Sequence, residues 1–257
     1  MPKTLIFDIE TSPNLVHVWR FWQENVGVNQ ILEDGDILSF AAKWVGKDEV
    51  HYYENRTRND KRLVKQLIKL LNEADIVVAH NGKRFDMGWV RARAAIHGLT
   101  PPSPVKIIDT KIETKKSFFF PSYSLDYLTK VFGCSRKLTK RTYPGHELWM
   151  ACVVRNEDKA WEEMMAYNIQ DVLALEELYL KVRPWIKHPN VGVYTDEEVP
   201  VCPSCGGTHL QKRGFYYTDV SKFQRYSCMA PGCGYWSRGK TNLLTKEKRE
   251  ATVRNAV

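Results

Sequence analysis

The order of hydrophobic patterns along the first 183 residues constrains the fold more than any other feature of this sequence. Strand-like alternation comes first, over Thr4–Glu10, Ile37–Val45 and Glu49–Tyr53, and consecutive strands of this kind joined by short turns pair antiparallel. Helical and strand patterns then alternate, with helices at Lys61–Ala74, Asp86–His97, Leu125–Phe132 and Asp158–Val182, and strands at Ile76–Ala79 and Val105–Ile108. This order predicts an α/β fold with a mixed β-sheet flanked by helices.

The composition predicts a second, smaller module at the C-terminal end. Proline and glycine punctuate residues 184–199, which we interpret as a linker between a first domain at 1–183 and a module at 200–240. From residue 200 onward, ten Lys or Arg face three Asp or Glu, so this quarter holds +7 of the formal +8, including a basic tail at 241–257. Concentrated positive charge attracts polyanions, so nucleic acid is the first partner to consider, with a solvated basic surface as the alternative.

The expected compartment is the cytoplasm, or the host cytoplasm if the protein is viral. The opening sequence Met1–Thr4 runs into a strand-like segment without an apolar targeting region, and no apolar run has membrane length. We therefore expect no membrane association. In such a reducing compartment, closely paired cysteines indicate metal binding and not disulfides.

Four of the six cysteines have the spacing of a structural zinc site. Cys202 and Cys205 form a C-x2-C pair, Cys228 and Cys233 form a C-x4-C pair, and 22 residues separate the two pairs. Four thiolates from two tight turns suit tetrahedral Zn²⁺, and a closed all-cysteine set indicates a structural ion. His209 is an alternative ligand. The segment resembles a zinc ribbon.

Basic and aromatic side chains alternate around these cysteines. Such residues can pair with phosphates while stacking on bases, which holds single strands without sequence reading. A module of about 40 residues also needs aromatic side chains for its small core, and we expect each use to claim about half of them. The residues are Lys212, Arg213, Phe215, Tyr216, Tyr217, Lys222, Phe223, Arg225, Tyr226, Tyr235, Trp236 and Arg238.

Carboxylates lie where the predicted elements end. Asp8 and Glu10 share one face of the first strand, Asp86 follows the run after the strand Ile76–Ala79, and Asp171 lies one helical turn after Tyr167. Clustered carboxylates repel one another unless cations bind, and hard oxygen ligands suit Mg²⁺ or Mn²⁺. Many enzymes that hydrolyse phosphodiesters use two such cations. The acids Asp109 and Asp126 are assigned to helix starts instead.

Three segments then resemble a known family. Phe7–Thr11, His80–Asp86 and Tyr167–Asp171 look like the three exonuclease motifs of the DEDD superfamily, in its tyrosine-bearing branch, and the resemblance covers residues 4–183. It implies an RNase H-like fold and stepwise release of 5′-mononucleotides from a 3′ end, as in the proofreading exonucleases of DNA polymerases. A DNA polymerase or another replication protein is the partner that it implies.

The resemblance also implies roles for individual residues. Asp8, Glu10, Asp86 and Asp171 would bind two Mg²⁺ or Mn²⁺ ions, and Tyr167 would orient the attacking water. Thr11 and Asn81 would contact the terminal nucleotide of the substrate. The basic residues Arg136, Lys137, Lys140 and Arg141 precede the last long helix, and we leave open whether they line the substrate path or are solvated surface.

Three other functions remain open at this point. Exoribonucleases carry the same motifs, so RNA is an alternative to single-stranded DNA. Transposon-type endonucleases also combine an RNase H-like domain with a zinc ribbon, although the Tyr-x-x-x-Asp arrangement favours an exonuclease. A non-catalytic nucleic-acid binding protein is disfavoured because all four candidate metal ligands are present.

Overall fold

A computed structural model of this chain describes residues 2–22, 25–135, 142–254 and 256. These residues group into two units, one of Lys3–Tyr179 and another that consists mainly of Leu180–Val257. Among the described residues, no helix combines the length and the apolar character that crossing a membrane requires.

A five-stranded mixed sheet forms the centre of the first unit. Its order is β5-β4-β1-β6-β7; β4 pairs antiparallel with β1 and β5, whereas β6 pairs parallel with β1 and β7. β2 and β3 form a separate two-stranded ribbon. The strands are β1 (Thr4–Thr11), β2 (Leu15–Val16), β3 (Ile31–Glu33), β4 (Ile37–Trp44), β5 (Val50–Glu54), β6 (Ile76–Ala79) and β7 (Lys106–Asp109).

Helices cover both faces of this sheet, which confirms the predicted mixed α/β architecture. Leu63, Leu67 and Leu71 place the apolar stripe of α1 against Phe7 and Phe40, while α6 contributes Trp161 and Met164 to a separate core around Leu38. The helices are α1 (Lys61–Glu73), α2 (Asp86–Ile96), α3 (Thr110–Ser117), α4 (Leu125–Val131), α5 (Glu147–Met150) and α6 (Asp158–Val182), with a 3-10 turn at Val28–Gln30 and a π-helical turn at Ala151–Arg155.

The second unit contains a three-stranded antiparallel sheet of order β10-β9-β8. Its small core gathers Cys202, Cys228 and Cys233, with Leu210 and Tyr235 packed against them. Its elements are a 3-10 turn at Val191–Tyr194, β8 (Leu210–Thr218), β9 (Ser221–Cys228), β10 (Trp236–Arg238) and α7 (Lys246–Glu250). The predicted boundaries at 183, 199 and 240 stay predictions.

Candidate active site

Three of the predicted metal ligands converge at the centre of the large sheet. Asp8 and Glu10 project from β1, the middle strand, and Asp171 projects from α6. Each offers a carboxylate oxygen, and these three oxygens lie within 4.8 Å of one another. Asp171 is almost fully buried. A set of converging carboxylate oxygens, one of them buried, fits a hard divalent cation such as Mg²⁺ or Mn²⁺.

A buried amide that the sequence analysis passed over holds Asp8 in place. Asn168 is fully buried, and its Nδ2 donates to Asp8 Oδ2 at 2.9 Å and to the Asp8 carbonyl at 3.3 Å. The hydroxyl of Ser39, on β4, donates to Asn168 Oδ1 at 3.1 Å. Because Ser39 occupies the amide oxygen of Asn168, the amide nitrogen faces Asp8. A signal was available, because Asn168 and Asp171 are three residues apart and share a helix face.

Replacing Asn168 by alanine is expected to lower nucleotide release by about 10- to 100-fold, the usual cost of losing a group that orients a metal ligand. The loss should appear mainly as a higher Mg²⁺ or Mn²⁺ concentration for half-maximal rate. Gln170→Ala removes an amide of the same helix and should leave that concentration unchanged. An unaltered metal requirement in folded Asn168→Ala would show that Asn168 does not position Asp8.

Asp86 lies outside the converging set but beside the same strand. Its Oδ1 accepts the backbone N–H of Ile9, between Asp8 and Glu10, at 3.2 Å. Burial, followed by the negative charge of Asp109, raises the pKa of Asp86 to about 7. Gly82 permits the close approach of this loop, because an added Cβ would lie 2.3 Å from the Ala79 Cβ and 3.0 Å from Asp86 Oδ2.

Asp86→Asn is expected to stabilise the protein increasingly as the pH rises from 5 to 8, without added Mg²⁺ or Mn²⁺. A carboxyl whose pKa is raised from 3.8 to about 7 on folding contributes stability below pH 4 that is lost as the pH rises through 7. The amide does not ionise, so the gain at pH 8 should be on the order of 4 kcal/mol, at about 1.4 kcal/mol per pKa unit.

Denaturant unfolding at pH 5 and at pH 8 measures the free energy of unfolding of Asp86→Asn relative to that of the unchanged protein. Asp48→Asn, at an exposed turn, is the control and should show no such trend. A gain for Asp86→Asn that does not depend on pH would contradict the raised pKa of Asp86.

Asp109 holds the loop that leads to Asp86. Its carboxylate accepts the backbone N–H groups of Asn81 and Lys83, at 3.0 and 3.1 Å, and caps α3 through Ile112 N at 3.2 Å. The helix-start role predicted for Asp109 is therefore confirmed, and its second role, holding the loop, was not predicted. These bonds stabilise Asn81 in the left-handed conformation, at φ 66°.

Two clefts share Phe85, and the first of them adjoins the carboxylates through Glu10. One, of about 630 Å³, is lined by Glu10 and Thr11 together with His146 and Trp149. The other, of about 500 Å³, is lined by residues that include Asn81, Arg84 and Trp89. Thus Thr11 and Asn81 lie in different clefts, and sequence reasoning assigned no role to the aromatic residues between and beside them.

Tyr167 lies close to the first cleft. Its ring packs edge-on against Trp149, with 5.8 Å between ring centroids, and it precedes Asp171 by one helical turn. Tyr167 therefore lies on the side of α6 that carries the carboxylate. The basic residues Arg136, Lys137, Lys140 and Arg141 lie outside the described residues.

The four paired cysteines converge in the second unit. Their sulfur atoms lie within 4.8 Å of one another, with 3.8 Å between Cys202 and Cys233 and 3.6 Å between Cys205 and Cys228. A tetrahedral zinc site with Zn–S bonds of about 2.3 Å has S···S edges of about 3.8 Å. The cluster therefore fits Zn²⁺, and His209 is not part of it.

Comparisons with known proteins place the first unit in context. Residues 24–183 match a family described as the RNase H superfamily. This range contains Asp86, Tyr167 and Asp171 but begins after β1. A stretch of 106 residues is 29% identical to a DNA polymerase of Methanocaldococcus jannaschii. This alignment covers 38% of this chain and 6% of that polymerase.

A solved structure shares the fold. The family B DNA polymerase from the hyperthermophilic archaeon Pyrobaculum calidifontis matches 88% of this chain and 33% of its own, with a TM-score of 0.54 and 16% identity. At that identity the likeness concerns the fold alone. The chain thus spans only 6% and 33% of the lengths of the two polymerases that it matches.

Proposed function

This chain belongs to the RNase H superfamily, and we propose that it is a metal-dependent 3′-to-5′ exonuclease that shortens single-stranded DNA to 5′-mononucleotides. The observation that carries the proposal is the convergence of Asp8, Glu10 and Asp171 within 4.8 Å at the middle strand of the sheet. A structural site would not need three adjacent carboxylates, since their mutual repulsion opposes folding without cations. The similarity of the motifs around these residues to exonuclease motifs supports the direction of digestion.

The proposed mechanism assigns a role to each of these residues. Asp8, Glu10 and Asp171, with Asp86 beside them, would hold two Mg²⁺ or Mn²⁺ ions, which supply an activated water and stabilisation of the leaving oxygen. The hydroxyl of Tyr167 orients the attacking water by hydrogen bonding. Asn168 fixes the direction of the Asp8 carboxylate.

The two clefts suit the end of a nucleic-acid strand. The cleft beside Glu10 is apolar on the side of Trp149 and Phe85, which suits a stacked terminal base, and Thr11 can donate to its sugar. The adjoining cleft offers Asn81 and Arg84, which suit the next sugar and phosphate. A substrate placed in this way brings its last phosphodiester towards the carboxylates.

The second unit would assist by holding the single strand. Its cysteine cluster fits one structural Zn²⁺, and its sheet carries the basic and aromatic residues that suit single strands. Because the two similar proteins described above are DNA polymerases, we include a DNA polymerase or another replication protein as the proposed partner.

Digestion of end-labelled oligonucleotides tests this function. With Mg²⁺ or Mn²⁺, a 5′-labelled single strand should give a ladder that shortens from the 3′ end, while a 3′-labelled strand should release labelled mononucleotide at once. Matched RNA should be degraded more slowly, and circular single-stranded DNA should stay closed. Opening of the circle would indicate an endonuclease, and degradation of RNA alone would indicate an exoribonuclease.

A further inference from the structure

One face of the C-terminal sheet gathers aromatic and arginine side chains, all of them exposed except Phe223. Trp236 and Arg238 of β10 lie opposite Ser227 and Arg225 of β9, and Tyr216 of β8 lies opposite Phe223. Directly opposed residues and alternate residues of one strand project to the same side of a sheet. Together these positions define what we call the arginine face: Tyr216, Phe223, Arg225, Trp236 and Arg238.

The rings and guanidinium groups of the arginine face are already stacked. Arg225 lies 5.0 Å from the ring of Trp236, and Arg238 lies 5.4 Å from the ring of Tyr216 and 4.0 Å from that of Phe223. Trp236 and Tyr216 are nevertheless about half exposed, at 54% and 47%. A cleft of about 360 Å³ opens on this face, between Trp236, Tyr216 and the two arginines.

The arginine face concentrates positive charge on adjacent strands. Arg225 and Arg238 stand directly opposite each other on adjacent strands, an arrangement that costs stability. No carboxylate pairs with either residue in the part of the chain that the structure describes; Asp219, the sole acid between Glu198 and Glu247, pairs with Arg254. An anionic ligand between the two guanidinium groups would remove this repulsion.

We propose that the arginine face binds single-stranded nucleic acid, with an unpaired base stacked in the cleft and phosphates held by Arg225 and Arg238. This inference rests on the proposed nucleic-acid substrate and specifies where the second unit holds it. A planar guanidinium lying on an aromatic ring still offers its outer face to a base and its N–H groups to phosphate. Arg225 uses Nε on the Arg213 carbonyl, at 2.8 Å, and keeps both terminal nitrogens for a ligand.

The opposite side of the same sheet supplies a matched control. It carries Phe215, Tyr217, Lys212 and Lys222, so its charge and aromatic content are similar. Lys222 lies 3.8 Å from the ring of Phe215 and 5.9 Å from that of Tyr217. A compact ammonium group offers no planar surface for a base, so this side should contribute general attraction only.

Fluorescence anisotropy of labelled nucleic acids tests the proposal. The full-length protein is titrated, without added divalent ions, into fluorescein-labelled (dT)20, (rU)20 and a duplex of equal length. Trp236→Ala should weaken (dT)20 binding by about tenfold or more, as expected for loss of a stacked base. Tyr217→Ala, also an exposed ring, should change it less than twofold. Trp236→Phe should restore most of the affinity, which excludes misfolding as the cause.

The arginines should determine the salt dependence. Replacing Arg225 and Arg238 by glutamine should reduce the slope of log affinity against log salt by about 1.4, at about 0.7 per phosphate contact on a single strand. The pair Lys212→Gln and Lys222→Gln should reduce it by clearly less. Equal reductions of the salt slope by the arginine pair and the lysine pair would overturn the proposal. So would equal losses of affinity for the duplex and for (dT)20 in Trp236→Ala. Binding of (rU)20 without binding of (dT)20 would overturn the proposal for DNA.

These outcomes are separable from the proposed activity. If the variants behave as expected but the protein releases no mononucleotide with Mg²⁺ or Mn²⁺, the exonuclease proposal fails and the binding site stands. If the protein digests single strands while Trp236→Ala binds (dT)20 as tightly as the unchanged protein does, the binding site is refuted and the exonuclease proposal stands.

Discussion

Replacing Asp171 by asparagine is expected to lower the rate of mononucleotide release by about 10³-fold or more. The substitution keeps the shape of the side chain but removes one of three charges that lie within 4.8 Å of one another. Divalent cations supply several kcal/mol of stabilisation to a hydrolytic transition state, and about 4 kcal/mol corresponds to about 10³ in rate. Because Asp171 is only 5% exposed, loss of its charge should not weaken the fold.

Release of labelled mononucleotide from a 5′-labelled and a 3′-labelled strand measures the effect. Glu162→Gln removes an exposed acid of the same helix and should leave the rate within twofold. Thermal unfolding should show that Asp171→Asn is at least as stable as the unchanged protein. A folded Asp171→Asn variant that retains more than a tenth of the rate would remove Asp171 from the catalytic site.

Hydrophobic periodicity was enough to predict the sheet and its long helices, because the spacing of apolar residues along each element determines which face it buries. The strands of the large sheet and α1, α2, α4 and α6 were predicted to within one or two residues at most ends, and membership of the RNase H superfamily confirms the expected fold. α3 was missed for a physical reason. Its buried residues are Thr110 and Thr114, whose hydroxyls bond to backbone carbonyls, so it has no apolar stripe.

Periodicity alone predicted the candidate site only where residues lie close together in sequence, whereas the convergence of Asp8 and Glu10 with Asp171 was expected from the family resemblance. The strand face shared by Asp8 and Glu10 and the helix face shared by Tyr167 and Asp171 follow from local periods of two and of about four residues. The contact of Asn168 with Asp8 joins residues 160 positions apart. The cleft that brings Trp149 to Glu10 is similarly non-local, and neither of these local periods predicts such pairings.

The second unit depends on its cysteine cluster to a degree that the first unit does not. Its core is built on Cys202, Cys228 and Cys233, and its rings at Phe215, Tyr217 and Trp236 are largely exposed. Burial raises the pKa of Cys228 to about 11 when no metal is bound. A cation that binds here must therefore displace thiol protons, and its bonds to sulfur would add to the folding free energy.

Cys228→Ser is accordingly expected to unfold the β8–β10 sheet and leave the Lys3–Tyr179 unit folded. Structural zinc contributes about 10 to 16 kcal/mol in small zinc modules, far more than a sheet with so small an apolar core could replace. Zinc content should fall from one ion per chain to less than half, and amides of β8 and β9 should exchange with solvent within seconds.

Hydrogen exchange resolved by peptide separates this outcome from general unfolding, since amides of β1 and β6 should remain protected. Cys152→Ser is the matched control, because Cys152 is equally buried but lies in the first unit, in a core with no second cysteine. That variant should keep its zinc and the protection of β8. If Cys228→Ser also kept both, the four sulfur atoms would not be holding the fold of the second unit through a metal ion.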